Sequence, residues 1–434
     1  MANRPNRRRH GTRSPFGAMR TPPLPNPLNR VKAMGCGRRQ PSQRNGMNAA
    51  SQPVVNLWRR RQLLQGMALG AGASLLPSLL AACGGGHRGG SSATDRRLVI
   101  ANWPLYIDPS RPGQPGSVER FERASGIQVT YNEEINDSQA FFARLRPELA
   151  AGHRIAADLF VVTYWLIDRL QRLGWLEPLE LSLIPNAANL IPALRRPYWD
   201  PDGRFTLPWQ AGIAGIAYNI RATGREINSI DDLFAPDLHG RVGMLSEMRA
   251  TMGLMMLADG QDPAKPSMAA AKNAFERLRQ GRASGQIRAF TGNNYMNDLL
   301  NGNFKACMAW SGDVAQLARD QPDLRFSVPS SGGMRWVDVM AVPRRARHPR
   351  EAAEWMNFVY DPVQAAKITQ AVHYISPVQG VQALLASQPA TAAEAKDPLL
   401  FPDAALNSRL HVFGPLAPDE EARFEERFAT IVAA

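Results

Sequence analysis

Cysteine is nearly absent from this chain: Cys36, Cys83 and Cys307 are the only three in 434 residues. No CxxC pair occurs, so neither a disulfide framework nor a zinc ribbon is expected. The seven histidines are scattered, with no HExxH, which removes the commonest helical zinc motif. There is also no GxSxG elbow, no Walker loop and no Rossmann fingerprint. The sequence therefore points away from an enzyme and calls for neither metal nor cofactor. A long apolar run is missing too. The most apolar stretch ends at Leu80 and is diluted by glycine, whereas a membrane span needs about 20 strongly apolar residues.

The formal charge of +13 first suggests nucleic acid or membrane. Its distribution says otherwise. Fourteen of the 51 Lys and Arg lie in residues 1–83, which hold no Asp or Glu, and the other 37 face 38 acids. The body has no basic run, so a nucleic acid partner is not expected.

Residues 1–58 read as an extension, rich at first in Arg, Pro and Asn and unable to bury a core. Met1 and Met47 are both candidate initiators. Residues 59–83 have a charged start, an apolar middle and small residues at the end, the pattern of a secretory signal. Arg60-Arg61 resembles a twin-arginine export signal. Leu80-Ala81-Ala82-Cys83 resembles a lipobox, which would make Cys83 the lipidated N-terminus of a membrane-anchored periplasmic protein. Residues 84–96 are a Gly/Ser linker.

From residue 97 onward, predicted strands and helices alternate, which means α/β domains with a mainly parallel sheet. Strands are expected at 98–101, 127–131, 158–162, 205–219, 241–245, 305–310 and 325–328. Helices are expected at 117–125, 138–150, 164–173, 229–235, 267–279, 294–301, 349–359, 362–371 and 418–432. In such sheets ligands gather at the carboxyl ends of strands, and Trp103, Tyr106, Thr163 and Trp165 all follow predicted strands.

Two aromatic–acid pairs stand out in apolar surroundings: Trp310 with Asp313, and Trp336 with Asp338. A carboxylate withdrawn from water needs a partner. Together the pairs suggest a socket for a small organic cation, with the acids taking ammonium hydrogens and the rings covering the carbon stem. Taken singly, Asp313 also reads as a helix cap or first-turn acid, Asp338 as a strand end, and both tryptophans as core.

In order along the chain, Asn102-Trp103-x-x-Tyr106, Asp158-Leu-Phe-Val-Val-Thr163, Leu207-Pro-Trp209, Tyr295–Gly302, Ala309-Trp-Ser-Gly-Asp313, Trp336-Val-Asp338 and Tyr374 resemble the periplasmic spermidine/putrescine-binding proteins of ABC transporters. The resemblance spans about 97–434. It implies a type II periplasmic-binding-protein fold, two α/β lobes joined by a hinge around a ligand cleft. The first lobe would comprise 97–212 and 337–384, the second 213–336 and 385–434. By resemblance the ligand residues are Trp103, Tyr106, Thr163, Trp165, Glu247, Trp310, Asp313, Trp336, Asp338 and Tyr374.

One departure concerns Ser246-Glu247-Met248-Arg249-Ala250, where Ala250 replaces a second acid usual in the family. A shorter diamine is therefore favoured over a triamine. The implied role is a monomeric polyamine receptor that delivers its ligand to a permease. A lipid-anchored sensor, or a binder of another cationic amine, is the alternative. An enzyme would have to use Cys307, which lies in an apolar strand.

Overall fold

The computed structural model describes residues 96–434. The expected signal, Cys83 and all but the last residue of the linker lie outside the described residues. Among the described residues no helix is long and apolar enough to cross a membrane.

The first lobe opens with β1 (Arg97–Asn102), α1 (Ser117–Ser125), β2 (Gln128–Glu133), α2 (Ser138–Ala150), β3 (Leu159–Thr163) and α3 (Tyr164–Arg172). A long strand, β4 (Thr206–Asn219), leads into the second lobe. There follow α4 (Ile220–Thr223), β5 (Val242–Leu245), α5 (Met248–Ala258), α6 (Lys272–Ala283), β6 (Ile287–Thr291), α7 (Tyr295–Leu300), β7 (Ala306–Trp310), α8 (Ser311–Ala318) and β8 (Leu324–Ser327). Strand β9 (Gly333–Ala341) returns the chain to the first lobe, which adds α9 (Pro349–Val359), α10 (Pro362–Val372) and α11 (Val381–Ala386). Finally α12 (Ala404–Asn407), β10 (Leu410–His411) and α13 (Pro418–Ala433) close the chain.

The main strand order is β2-β1-β3-β9-β4-β7-β5-β6. β1 pairs parallel with β2 and β3, and β5 parallel with β6 and β7. Between these two parallel halves β4 and β9 run antiparallel and belong to both lobes. The composition of β4 explains how. Thr-Leu-Pro-Trp-Gln-Ala-Gly-Ile-Ala-Gly-Ile-Ala-Tyr-Asn has every residue but the last buried, so it needs cover on both faces and finds it in two cores. One core holds Leu98, Phe160, Val339 and Trp355; the other holds Ile216, Met252, Phe275 and Phe424. Each fully buried aliphatic side chain contributes about 1.5–3 kcal/mol. Pro208 cannot donate to the ladder, and the register slips between Pro208 and Gln210, a bulge of the kind that re-aims neighbouring side chains.

Three expectations shift. Leu385 and Ala395 lie in the first core and Phe401 packs on it, while Phe413 lies in the second. The return to the second lobe thus comes after 401, not at 385. Residues 229–235 form only a 3-10 turn, Asp231–Phe234, because Asp232 Oδ2 accepts from the amides of Asn228 and Ser229 at 3.0 and 2.9 Å. The helix expected from 267 begins at Lys272, since the Met268 amide donates to Glu420 on α13 at 3.0 Å.

Candidate functional site

The carboxyl ends of β1, β3, β5, β6 and β7 point at one cleft between the lobes, about 540 Å³ including its mouth. Nine of the ten residues expected there line it: Trp103, Tyr106, Thr163, Glu247, Trp310, Asp313, Trp336, Asp338 and Tyr374. Trp165 does not. Its ring is covered by the Arg249 guanidinium, 3.9 Å from the ring centre. The cleft also takes in Asp137, Ser138 and Asn293, which the sequence reading missed. The available signal was positional, since Asp137 and Ser138 follow β2 and Asn293 follows β6.

The rings come together because two glycines yield space. A Cβ at Gly212 would lie 2.3 Å from Trp336, and one at Gly312 would lie 2.6 Å from Tyr374. Only glycine lets those rings lie against β4 and α8. Trp336 then meets Tyr374 edge to face at 5.2 Å, and Tyr374 meets Tyr106 at 5.2 Å. Trp336 and Trp310 each pack against both cores, so the two rings stand at the seam.

Asp338 projects from β9, with Thr163 of β3 as its register partner. It is 4 % exposed, and Oδ1 has no hydrogen-bond partner. The Tyr106 hydroxyl stands close enough to pull on this carboxyl without making a hydrogen bond of good geometry. Burial pushes the carboxyl up to about 7, against the pull of the Thr163 and Tyr106 hydroxyls and with a push from Glu247 and Asp313.

Asp313 differs. It sits in the first turn of α8, as a helix acid should, yet it is 2 % exposed. Oδ2 accepts from Tyr295 at 2.7 Å and from Asn293 at 3.2 Å, and Oδ1 accepts from Tyr374 at 2.6 Å. Burial raises this carboxyl to about 6, held back by the Tyr374 and Tyr295 hydroxyls. Tyr374 belongs to the first core, so its bond to Asp313 also joins the lobes.

The other two acids are engaged as helix caps. Asp137 Oδ1 accepts from the Ala140 amide at 2.9 Å, and its Oδ2 takes the Ser246 hydroxyl across the cleft at 2.7 Å. Glu247 accepts from the amides of Arg249 and Ala250 at 3.1 and 2.7 Å. Its carboxyl is raised by burial and lowered by Arg249 and those amides.

Beyond Glu247 the lobes are tied together. Arg249 pairs with Glu421 of α13, which also faces Arg169 of α3 at 3.1 Å, while Glu425 meets Arg169 at 2.6 Å. The Tyr164 hydroxyl donates to the Phe413 carbonyl at 3.0 Å. Cys307 lies fully buried in β7 with its thiol pushed upward by desolvation, the environment of inert packing rather than of a nucleophile. Among the described residues no cluster of His, Cys, Asp and Glu is placed to hold a metal.

A cleft lined by rings, acids and unpaired acceptors is suited to holding a small molecule. The comparisons agree. The chain is 28% identical over 343 residues to the putrescine-binding periplasmic protein PotF of Escherichia coli, covering 74% of this chain and 86% of that one. It is 26% identical over 342 residues to spermidine/putrescine-binding periplasmic protein 1 of Haemophilus influenzae, covering 78% and 91%. Among solved structures, the spermidine/putrescine substrate-binding protein PotD of Streptococcus pneumoniae superposes with a TM-score of 0.62 at 22% identity, over 77% of this chain and 98% of that one. The Tp0655 lipoprotein of Treponema pallidum superposes with a TM-score of 0.63 at 19% identity, over 78% and 100%. These two likenesses carry the fold: two lobes of the periplasmic-binding type. The family model of the bacterial extracellular solute-binding proteins matches residues 116–402, and this chain therefore belongs to that family of solute receptors.

Proposed function

We propose that the protein captures a polyamine, a putrescine- or spermidine-like cationic amine, in this cleft and delivers it to the permease of an ABC importer. The observation that carries the reading is Asp338: a buried carboxylate with an unpartnered oxygen, in a cleft walled by Trp103, Tyr106, Trp336 and Tyr374. An ammonium group supplies the missing donor and charge, and its methylene stem lies on the rings. A charge-assisted hydrogen bond contributes about 1.5–3 kcal/mol and each cation–π contact about 0.5–2 kcal/mol. After ordering costs, a few of each support micromolar binding. The names of the curated relatives support the same ligand class.

The Leu80–Cys83 ending supports export as a monomeric lipoprotein tethered through residues 84–96, and one structural neighbour is itself a lipoprotein. Cys83→Ser is expected to leave the protein unprocessed or free of the membrane pellet; undiminished processing and anchoring of that variant would refute the lipid tether. For the ligand, the test is a thermal-shift screen against diamines, polyamines, amino acids and betaines. A ligand selective for the folded state raises Tm by mass action. A rise with amino acids or betaines and none with amines would replace the polyamine reading.

A further inference from the structure

Asn293 enters the cleft from the loop between β6 and α7. It is 6 % exposed, and its side-chain Oδ1 is buried without a partner. Leaving a buried acceptor unanswered costs free energy, so such an atom calls for an explanation. Which end of the amide is free is set by Asp313. Asn293 Nδ2 donates to Asp313 Oδ2 at 3.2 Å. An ionised carboxylate can only accept, so the amide turns its NH2 to Asp313 and its oxygen away from it. The backbone is held as well. The Asn293 amide donates to the Asn136 carbonyl of the first lobe at 3.3 Å. Gly292 permits that approach, because a Cβ there would collide with the same Asn136 oxygen. The free acceptor is therefore fixed from both lobes before any ligand arrives, which lowers the ordering cost of binding. Asp313 itself is engaged: its two oxygens already accept from Tyr295, Asn293 and Tyr374.

We propose that Asn293 is a further ligand-binding residue, whose Oδ1 accepts a hydrogen bond from a second amino group of the bound amine while Asp338 takes the first. Asp313 stands behind it as a positioning residue, which turns the amide oxygen to the ligand instead of meeting the ligand itself. The two acceptors come from opposite walls, Asp338 from β9 beside β3 and Asn293 from the loop after β6. An amine with two heads then bridges the lobes, and an amine with one head does not. The proposal rests on the polyamine reading and adds to it the atom that takes the second head.

The test sets putrescine against butylamine, which has the same carbon stem and a single head, by tryptophan fluorescence titration of the purified protein. The wild type is expected to bind putrescine at least roughly tenfold more tightly. Asn293→Ala is expected to lose roughly tenfold in putrescine affinity and less than roughly twofold in butylamine affinity. A merely structural asparagine would lower both together, so equal losses overturn the proposal. An unchanged putrescine affinity in the folded variant overturns it too. Both results leave the polyamine reading standing. The wild type decides even if Asn293→Ala does not fold, since butylamine binding as tight as that of putrescine leaves no acceptor for a second head. No response of the wild type to putrescine or to spermidine overturns the polyamine reading itself, and this proposal with it.

Discussion

The two walls of the cleft carry the same chemistry, an aromatic ring two or three residues from an aspartate, and put it to different use. On the second lobe, Asp313 is answered by Tyr295, Asn293 and Tyr374. On the first lobe, Asp338 stands on a strand with one oxygen unanswered. The difference comes from the backbone. Asp313 sits at a helix start, where an acid is favoured by the helix dipole and three donors converge on both oxygens; around Asp338 the Thr163 and Tyr106 hydroxyls stand near but leave Oδ1 without a bond. One acid therefore helps to tie the lobes together, and the other keeps an acceptor free for the proposed cation.

The largest effect should follow removal of the unanswered charge. Asp338→Asn keeps the shape, and amine affinity is expected to fall by roughly two to three orders of magnitude, from a loss of about 3–5 kcal/mol. The free variant should be at least as thermostable as the parent. The sign follows from linkage. The folded pKa of about 7 lies above the ordinary value of 3.8, so the folded state binds the proton more tightly, and the associated stability is complete at low pH and lost as pH rises through about 7. The Tm gain of Asp338→Asn should thus be clear near pH 8 and vanish near pH 4. A variant that is destabilised near pH 8 would make Asp338 a structural acid.

Asp313→Asn should do the reverse. Burial raises this carboxyl too, so the loss of charge alone is not destabilising. The loss comes from replacing one of the two oxygens that Tyr295, Asn293 and Tyr374 donate to by an amide nitrogen, which is expected to lower Tm, with affinity falling roughly tenfold. If calorimetry gives the two aspartate variants the same profile, the contrast between the walls fails.

The parent protein itself offers a third measure. Amine affinity should decline as pH falls from about 8 to about 6, by roughly tenfold, because a proton on Asp338 competes with the ammonium. Asp338→Asn should flatten that curve; a curve unchanged by the variant would assign the pH dependence to Asp313 or Glu247. The smallest effect is expected for Tyr374→Phe. It removes one hydroxyl from Asp313 but keeps the ring against Trp336, and affinity should fall by only a fewfold, read by tryptophan fluorescence titration. A loss as large as that of Asp338→Asn would mean that Tyr374 holds the ligand directly.

The sequence shows the strand-borne parts of this site best. β4 is legible as one buried Gly/Ala/Ile run, and Trp336 and Asp338 stand out because an acid and a ring interrupt an apolar strand. Helix α5 was not foreseen, since Met248–Met256 is buried on every side, Arg249 and Thr251 included, and leaves no 3.6-residue apolar stripe to detect. Trp165 illustrates a second limit. Its position after β3 is visible in the sequence, but the cation on its ring comes from Arg249, 84 residues later in number and on the other lobe. Asn293 is hidden for the same reason, an ordinary loop asparagine until Asp313 is folded against it.

The strand pair β4–β9 bears on how the cleft opens. Because its ladder runs, with a single bulge at Trp209, from Thr206 opposite Ala341 to Ala214 opposite Met334, the lobes are joined by a ribbon rather than by a loose string. Two-stranded ribbons carry larger twist than wide sheets, so a change of angle between the lobes would have to be taken up in the twist of this pair. The bulge at Trp209 bends the strand and increases its local twist. It lies beside Asp338 in the ladder, so the acid proposed to hold the cation is mounted next to the irregular point of the ribbon that joins the lobes.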